Sequence, residues 1–456
     1  MKRGPKPRPA TGLRTNAGPT RDHVPRFVVH PAGTSARLCE ARRSGAPGSA
    51  SYRPRRTIVT TSHHPGSQFA GGVMTGGVIG ASPLALFRAE LLSDRIPGPP
   101  TEPIDCSRNE FLHPHPILGR SGWPSLDPAS ICRYQPNPRL VAQLATRFDC
   151  DPAMLRVHNG AEAALKTIFA ALARIENATL LLPQPGWEYH DTLAERYGLR
   201  TEFYRYLDEG DARVLDVADL ERRIDRLECP AVLIVSPSNP LGARVGDDQL
   251  QALARQVSGK GYCIVDQAYF GFAGPATNDW SVGEALDGLP GTILVRTLSK
   301  YYGIPGVRVG FTAAHPSVHG QFGIDPDYLG FNIFADEFAV SCLEAHDEFE
   351  RIAATVVGQR DALAAGLSRI PGFQPFRSDA NFLLVRTPGP GYAPWLDQHG
   401  VRVRTFTSEL ADCVRITVPP EPHVRWILEA SESFDPGPSG HPVPTRVEQD
   451  RPCMHS

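Results

Sequence analysis

Four short apolar runs in the middle of the chain each end in residues able to do chemistry. "TLLLP" at 179–183 is followed by "QPGWEYH", with Trp187 and His190 three residues apart. "AVLIVS" at 231–236 leads to Asn239 in "PSNPLG", and "YCIVD" at 262–266 closes on Asp266 with Tyr269 just beyond. "TILVRT" at 292–297 ends in Thr297; Lys300 follows, and Arg308 comes eight positions after it. Singly, each has an ordinary reading. Asn in S-N-P bonds its own backbone in a turn, an Asp closing a strand caps a helix, and Ser-Lys has almost no specificity.

Together these residues supply what a phosphorylated pyridine aldehyde needs. Lys300 offers an amine to hold the aldehyde carbon as an imine. Asp266 offers a carboxylate that keeps the ring nitrogen protonated, an ion pair on the order of 4 kcal/mol at an effective dielectric of about 20. Asn239 and Tyr269 offer donors to a phenolic oxygen, and Trp187 offers a flat face to the ring. Arg308 and the N-terminus of the helix opening "NGAEAAL" offer a phosphate cradle, with Gly160 allowing close backbone approach.

The elements that must position these groups are legible in the same stretch. "AEAALKTIFAALARI" puts Ala161, Ala164, Leu165, Ile168, Phe169 and Leu172 on one helical face. The four runs are polar only at their ends, as strands buried on both faces of a mostly parallel sheet are, and "DDQLQALARQV" is a helix between two of them. Such a sheet binds ligands beyond its C-terminal strand ends, where the unusual residues stand. After about residue 330 one long helical region, "ADEFAVSCLEAHDEFERIAATVVGQRDALAAGL", leads into "NFLLVR" (381–386), "VRVRTF" (401–406) and "VRITV" (414–418), a smaller α+β domain.

The ends differ in character. Residues 1–73 carry 13 Lys/Arg against 2 Asp/Glu, are crowded with Pro, Gly and Ser, and show no helical or strand period. They read as a disordered extension, or as sequence ahead of a start at Met74. The C-terminal "DPGPSGHPVPTRVEQDRPCMHS" reads as a disordered tail. No apolar run approaches the roughly 18 residues that span a bilayer, so no membrane partner is expected. Nine cysteines without C-x-x-C or zinc-like spacing point to reduced thiols in a cytoplasm and to no metal site.

The set of residues, with 27 positions from Asn239 to Asp266, 34 to Lys300 and 8 to Arg308, resembles the fold-type I pyridoxal-phosphate enzymes of the class I/II aminotransferase superfamily. The resemblance runs from "SRNEF" at 107 to "VRITV" at 418. It implies an α/β fold of that type: a basic extension (1–80), an arm joining the small domain and the dimer interface (81–135), a large cofactor-binding domain (136–330), a small domain (331–434) and a tail (435–456). It implies pyridoxal 5'-phosphate on Lys300, Asp266 against the ring nitrogen with His190 bracing it, and Trp187 stacked on the ring. Thr297, Arg308 and the Ala161–Glu162 backbone would hold the phosphate.

Within the superfamily the likeness is greatest to histidinol-phosphate aminotransferases. "SRNEF" is similar to their N-E-N opening and "RYQPNPRLVAQLA" to their R-Y-P segment. This implies a homodimer in which Tyr134 reaches the neighbouring subunit's cofactor phosphate, with Arg415, Arg404 and Asn381 toward the substrate. An amino acid or amine would give its amino group to a 2-oxo acid by ping-pong chemistry. Arg402 shares a strand face with Arg404 and reads as a solvated edge charge. Departures bear on the substrate. His113 stands where a substrate-contacting tyrosine is expected and is either that contact or a loop histidine; Leu241 replaces a threonine; Pro419 replaces a glycine. A decarboxylase, lyase or cyclase using the same cofactor is the alternative. A DNA-binding regulator is disfavoured, because residues 1–73 lack the apolar helical period of a winged helix, so no nucleic-acid partner is expected.

Overall fold

The computed structural model describes residues 103–119, 126–134, 136, 138–274, 281–325 and 329–437. The expected extension (1–80) and nearly all of the expected tail (435–456) lie outside the described residues.

An eight-stranded sheet has the order β2-β9-β8-β7-β6-β3-β4-β5. Its strands are β2 (Leu155–His158), β3 (Ala178–Gln184), β4 (Arg200–Asp208), β5 (Arg213–Leu215), β6 (Cys229–Val235), β7 (Tyr262–Asp266), β8 (Thr292–Thr297) and β9 (Gly310–Ala314). The five neighbours β4, β3, β6, β7 and β8 run parallel, while β9, β2 and β5 are antiparallel to their neighbours. The parallel strands are buried on both faces, and their side chains alternate between two cores. Val232, Ile234, Val265 and Leu294 join one cluster; Leu233, Val235, Ile264, Ile293 and Val295 join the other, with the Gly160–Leu172 helix. Each such side chain contributes about 1.5–3 kcal/mol on burial, which fixes the strand register and so the place of every strand-end residue.

A second, five-stranded sheet has the order β1-β12-β13-β11-β10, from β1 (Ile104–Cys106), β10 (Gln374–Pro375), β11 (Phe382–Arg386), β12 (Val401–Thr405) and β13 (Cys413–Thr417). β1 pairs parallel to β12 across almost the whole described length of the chain. Leu363, Leu367, Val401, Val403, Val414 and Ile416 form its core. The long helical region is two helices, Ile333–Glu344 and His346–Leu367, that meet at Ala345. The first carries an N-cap at Asn332, whose Oδ1 accepts from the Phe334 and Ala335 amides. Among the described residues no helix is long and apolar enough to cross a membrane.

Candidate active site

The C-terminal ends of β3, β6, β7 and β8 lie side by side, and a cleft of about 780 Å³ opens above them. Trp187, His190, Asn239, Asp266, Tyr269, Thr297, Lys300, Arg308, Ala161 and Glu162 line it from the large sheet, with Arg404 and Arg415 from the small one. Ser107, Arg108 and Asn109, which follow β1, complete the wall.

Lys300 sits in the turn after β8, its Nζ donating to the Arg108 carbonyl at 3.2 Å and lying 5.8 Å over the Tyr269 ring. Burial, then the positive charges of Arg415 and Arg308 against an opposing Glu110, bring its amine down to about 8. Desolvation disfavours the ammonium, so at neutral pH more of Lys300 is free amine, the form that adds to a carbonyl, than of an ordinary exposed lysine.

Asp266 closes β7 with one oxygen accepting from the Ala268 amide at 2.9 Å. The other lies 3.7 Å from His190 Nε2. Both groups are buried, and neither His190 ring nitrogen has a hydrogen-bond partner. An imidazole in that state beside a carboxylate at a cleft floor has donor and acceptor capacity to spare. The Trp187 ring stands edge-on to His190 at 5.2 Å, is 39% exposed and lines the cleft.

A cradle for an anion forms where the Gly160–Leu172 helix begins. Its N-cap, Asn159, makes no side-chain cap, so the first amides are not occupied from that side. Arg308, in the left-handed region at φ 62, lays its guanidinium over this end, 3.7 Å from Glu162 and donating to the Pro305 carbonyl at 3.1 Å. A Cβ on Gly160, itself at φ +80, would stand 2.7 Å from Arg308 Nη2. Thr297 donates its hydroxyl to the Val309 carbonyl and lies 2.8 Å from the Ser299 hydroxyl. Burial alone would raise the Glu162 carboxyl, but hydrogen bonds from Lys166 and Tyr189 hold it below its usual value.

From the small sheet, Arg415 is buried with its guanidinium on the Asn239 Oδ1 and, at 2.6 Å, the Ser107 carbonyl. Burial, with Tyr269 opposing and Arg404 adding, brings it down to about 10. It stays charged at neutral pH and faces the cleft with fork geometry suited to a carboxylate or phosphate. Arg404 is half-exposed, its nearest acid Glu188 at 3.9 Å.

Two expected residues lie elsewhere, and a third, Tyr134, is expected at a neighbouring subunit's site rather than in this cleft. His113 turns away from the cleft and is buried against the His346–Leu367 helix, hydrogen-bonded to Gln359 at 2.6 Å, with burial lowering its imidazole. Asn381 backs the site without lining it, donating to the Asn109 carbonyl at 3.3 Å. Tyr134 is 80% exposed and outside its own chain's cleft. Conversely, Ser107, Arg108, Asn109, Tyr189 and Ser299 belong to the wall, although their residue types alone carry no chemical signal. "SRNEF" and the residue before Lys300 were the available signals. Among the described residues no group of three His, Cys, Asp or Glu is placed to hold a metal ion.

The family model described as aminotransferase class I and II matches residues 131–430. The chain belongs to that family, and with membership come the reaction class, amino transfer between amino donors and 2-oxo acids, and the cofactor pyridoxal 5'-phosphate. More particularly, it is similar to the histidinol-phosphate aminotransferase of Chromobacterium violaceum, 33% identical over 285 residues, 60% of this chain and 75% of that protein. The Roseiflexus castenholzii enzyme of the same name is 28% identical over 342 residues, 72% and 89% of the two chains. Among solved structures the fold is shared with the Sinorhizobium meliloti histidinol-phosphate aminotransferase in complex with pyridoxal-5'-phosphate, at a TM-score of 0.61 and 20% identity, covering 79% of this chain and 98% of that one. It is also shared with the L-threonine-O-3-phosphate decarboxylase of Porphyromonas gingivalis, at 0.56 and 19% identity, covering 73% and 99%.

Proposed function

We propose that this cleft holds pyridoxal 5'-phosphate on Lys300 and transfers the amino group of an anionic amine resembling histidinol phosphate to a 2-oxo acid. One observation carries the reading. A lysine amine lowered to about 8 shares a cleft with a strand-end carboxylate, Asp266, and a buried arginine, Arg415. The donor set fits the cofactor. Gly160 leaves room for Arg308 over a helix start, and the His190 ring, whose nitrogens make no hydrogen bond, stands 3.7 Å behind Asp266.

Bound there, the cofactor would supply an electron-poor ring that accepts the electron pair left when a substrate C–H bond breaks. Asp266 would face the ring nitrogen, with His190 bracing the carboxylate. Asn239 and Tyr269 would donate to the ring oxygen, and Trp187 would cover one ring face. Arg308, Thr297 and the Gly160, Ala161 and Glu162 backbone would hold the phosphate. Lys300 Nζ would hold the aldehyde carbon at rest and, once displaced by the incoming amine, carry the substrate proton as general base and acid. Arg415 and Arg404 would bind the substrate's anionic group.

Tyr134, exposed and outside its own cleft, would reach the phosphate of a partner subunit in a homodimer. Mixing Lys300→Ala with Tyr134→Phe protein would then restore activity through hybrid dimers; no recovery after subunit exchange counts against it. The seven unpaired cysteines among the described residues fit a cytoplasmic enzyme.

The second reading is decarboxylation of an amino acid, whose α-carboxylate would leave as CO2, supported by the fold shared with the Porphyromonas gingivalis decarboxylase. Single-turnover product analysis with histidinol phosphate and a panel of amino acids separates the two. A carbonyl product and retained nitrogen on the cofactor support amino transfer, whereas released CO2 overturns it.

A further inference from the structure

Three consecutive residues after β1 each touch a different member of the site. The Ser107 carbonyl accepts from Arg415, the Arg108 carbonyl from Lys300, and Asn109 Nδ2 donates to the Tyr269 phenol oxygen at 2.9 Å. The first two are backbone contacts that many residue types would make. The third depends on the side chain.

Asn109 is buried and fixed at several points. Its backbone lies at φ 54, a region asparagine tolerates better than most residues. Its N–H donates to Thr417 Oγ1 at 2.9 Å, and the same hydroxyl donates to its Oδ1 at 3.3 Å. Its carbonyl accepts from Asn381 at 3.3 Å. With Oδ1 facing the Thr417 hydroxyl, the carboxamide turns its NH2 toward Tyr269. Thr417 ends β13 and Asn381 precedes β11, so the small sheet sets the position of Asn109. Tyr269 belongs to the segment after β7 of the large sheet.

A phenol oxygen that accepts on one lone pair keeps its own O–H for a further acceptor. Burial, the chief influence on Tyr269, holds that phenol protonated at neutral pH. The proton is therefore present to be donated.

We infer that Asn109 is a positioning residue whose carboxamide aims the Tyr269 O–H into the cleft, at the cofactor's ring oxygen, and ties that donor to the small sheet. The inference rests on the cofactor reading of the cleft. Without Asn109 the phenol rotates among acceptors and the ring oxygen loses a directed donor. Negative charge on that oxygen is then less stabilised, so the bound cofactor holds its proton to higher pH.

The test is a pH titration of the absorption band of the protein with pyridoxal phosphate, alongside a spectroscopic titration of cofactor affinity. Asn109→Ala and Tyr269→Phe should each move the band's pH midpoint upward and raise the cofactor dissociation constant by about fivefold, the scale of one hydrogen bond. The double variant should go no further than Tyr269→Phe alone, because the two residues act as one unit. Asn109→Asp preserves shape and guards against a folding defect. Its carboxylate draws the phenol proton out of the cleft, so its shift should shrink in the Tyr269→Phe background to the effect of its charge. A midpoint that moves with Tyr269→Phe but not with the Asn109 variants, or shifts that add in full, overturns the inference alone. A wild-type protein with no cofactor band overturns the cofactor reading, and the inference with it.

Discussion

Arg404 and Arg415 are directly opposite each other across the antiparallel β12–β13 pair. Like charges so placed repel, and Arg404 is among the influences that lower the Arg415 guanidinium, with the exposed Glu188 only 3.9 Å from Arg404 as partial relief. The arrangement makes sense as half of a site, with stability given up until an anion arrives. Arg404→Gln should therefore stabilise the substrate-free protein slightly, by about 0.5 kcal/mol, while raising the KM for an anionic amine. Arg415→Lys should cost more, since an ammonium cannot reproduce the fork that meets Asn239 and the Ser107 carbonyl. Thermal unfolding and steady-state kinetics on the two variants check this; an Arg404→Gln protein that is both less stable and unchanged in KM contradicts it.

Lys300 gives a pH signature independent of catalysis. It titrates near 8 in the folded protein against about 10.5 ordinarily. Between those values the unfolded chain binds the extra proton, so cofactor-free protein should gain stability as pH rises through that window. Below about 8 the charged amine is a standing cost. Lys300→Met should flatten the rise and stabilise the cofactor-free protein at pH 7. Denaturant midpoints measured from pH 7 to above 10 would show it, and an unaltered slope would count against a buried amine.

A histidine pair under the sheet predicts acid sensitivity. His158 and His319 both bond the Thr312 hydroxyl, at 3.0 and 3.1 Å. Burial, with Arg156 adding to it, lowers them to about 4 and about 3. As pH falls below the ordinary value of 6.5, the unfolded chain takes up protons that the folded one refuses, so stability is lost progressively toward pH 4 and below. Thr312→Val should cost about 1–3 kcal/mol at neutral pH by stranding two imidazole nitrogens. Equal stability of that variant would show that the hydroxyl bridge contributes nothing.

Two glycines near the anion cradle should respond differently to alanine. At Gly160 the added Cβ meets the far end of a flexible Arg308 side chain. The protein should fold with the guanidinium displaced and a cofactor dissociation constant about tenfold higher. At Gly310 the Cβ meets backbone, 2.6 Å from both the Ala161 nitrogen and the Gly160 carbonyl carbon. Nothing there yields cheaply, and the expected result is a destabilised sheet where β9 packs against the start of the helix. Cofactor titration and unfolding curves distinguish the two; similar behaviour would mean the cradle is not built on close approach.

Much of the site could be read from the sequence because parallel strands place their ends together. β7 and β8 run over the residues expected, Tyr262–Asp266 and Thr292–Thr297, as does the Asp247–Val257 helix. Once those runs are strands of one sheet, Asp266 and Lys300 must be neighbours. Long-range backbone contacts are different, since they carry no local period. The bonds from Ser107, Arg108 and Asn109 to Arg415, Lys300 and Tyr269 join residues far apart in the chain. His113 shows the converse. Its position in the motif suggested a substrate contact, yet the packing of Phe111 and Phe349 and a bond to Gln359 turn it inward. The break at Ala345 was equally hidden, because "EAHD" has no proline or glycine to announce it.

The most direct test of the central claim is reductive trapping. Protein incubated with pyridoxal phosphate is treated with borohydride, digested, and its peptides mapped by mass spectrometry. The account predicts one modified peptide, with the cofactor mass on Lys300, and none from Lys300→Ala protein. Modification spread over other lysines, or undiminished in the variant, would contradict it.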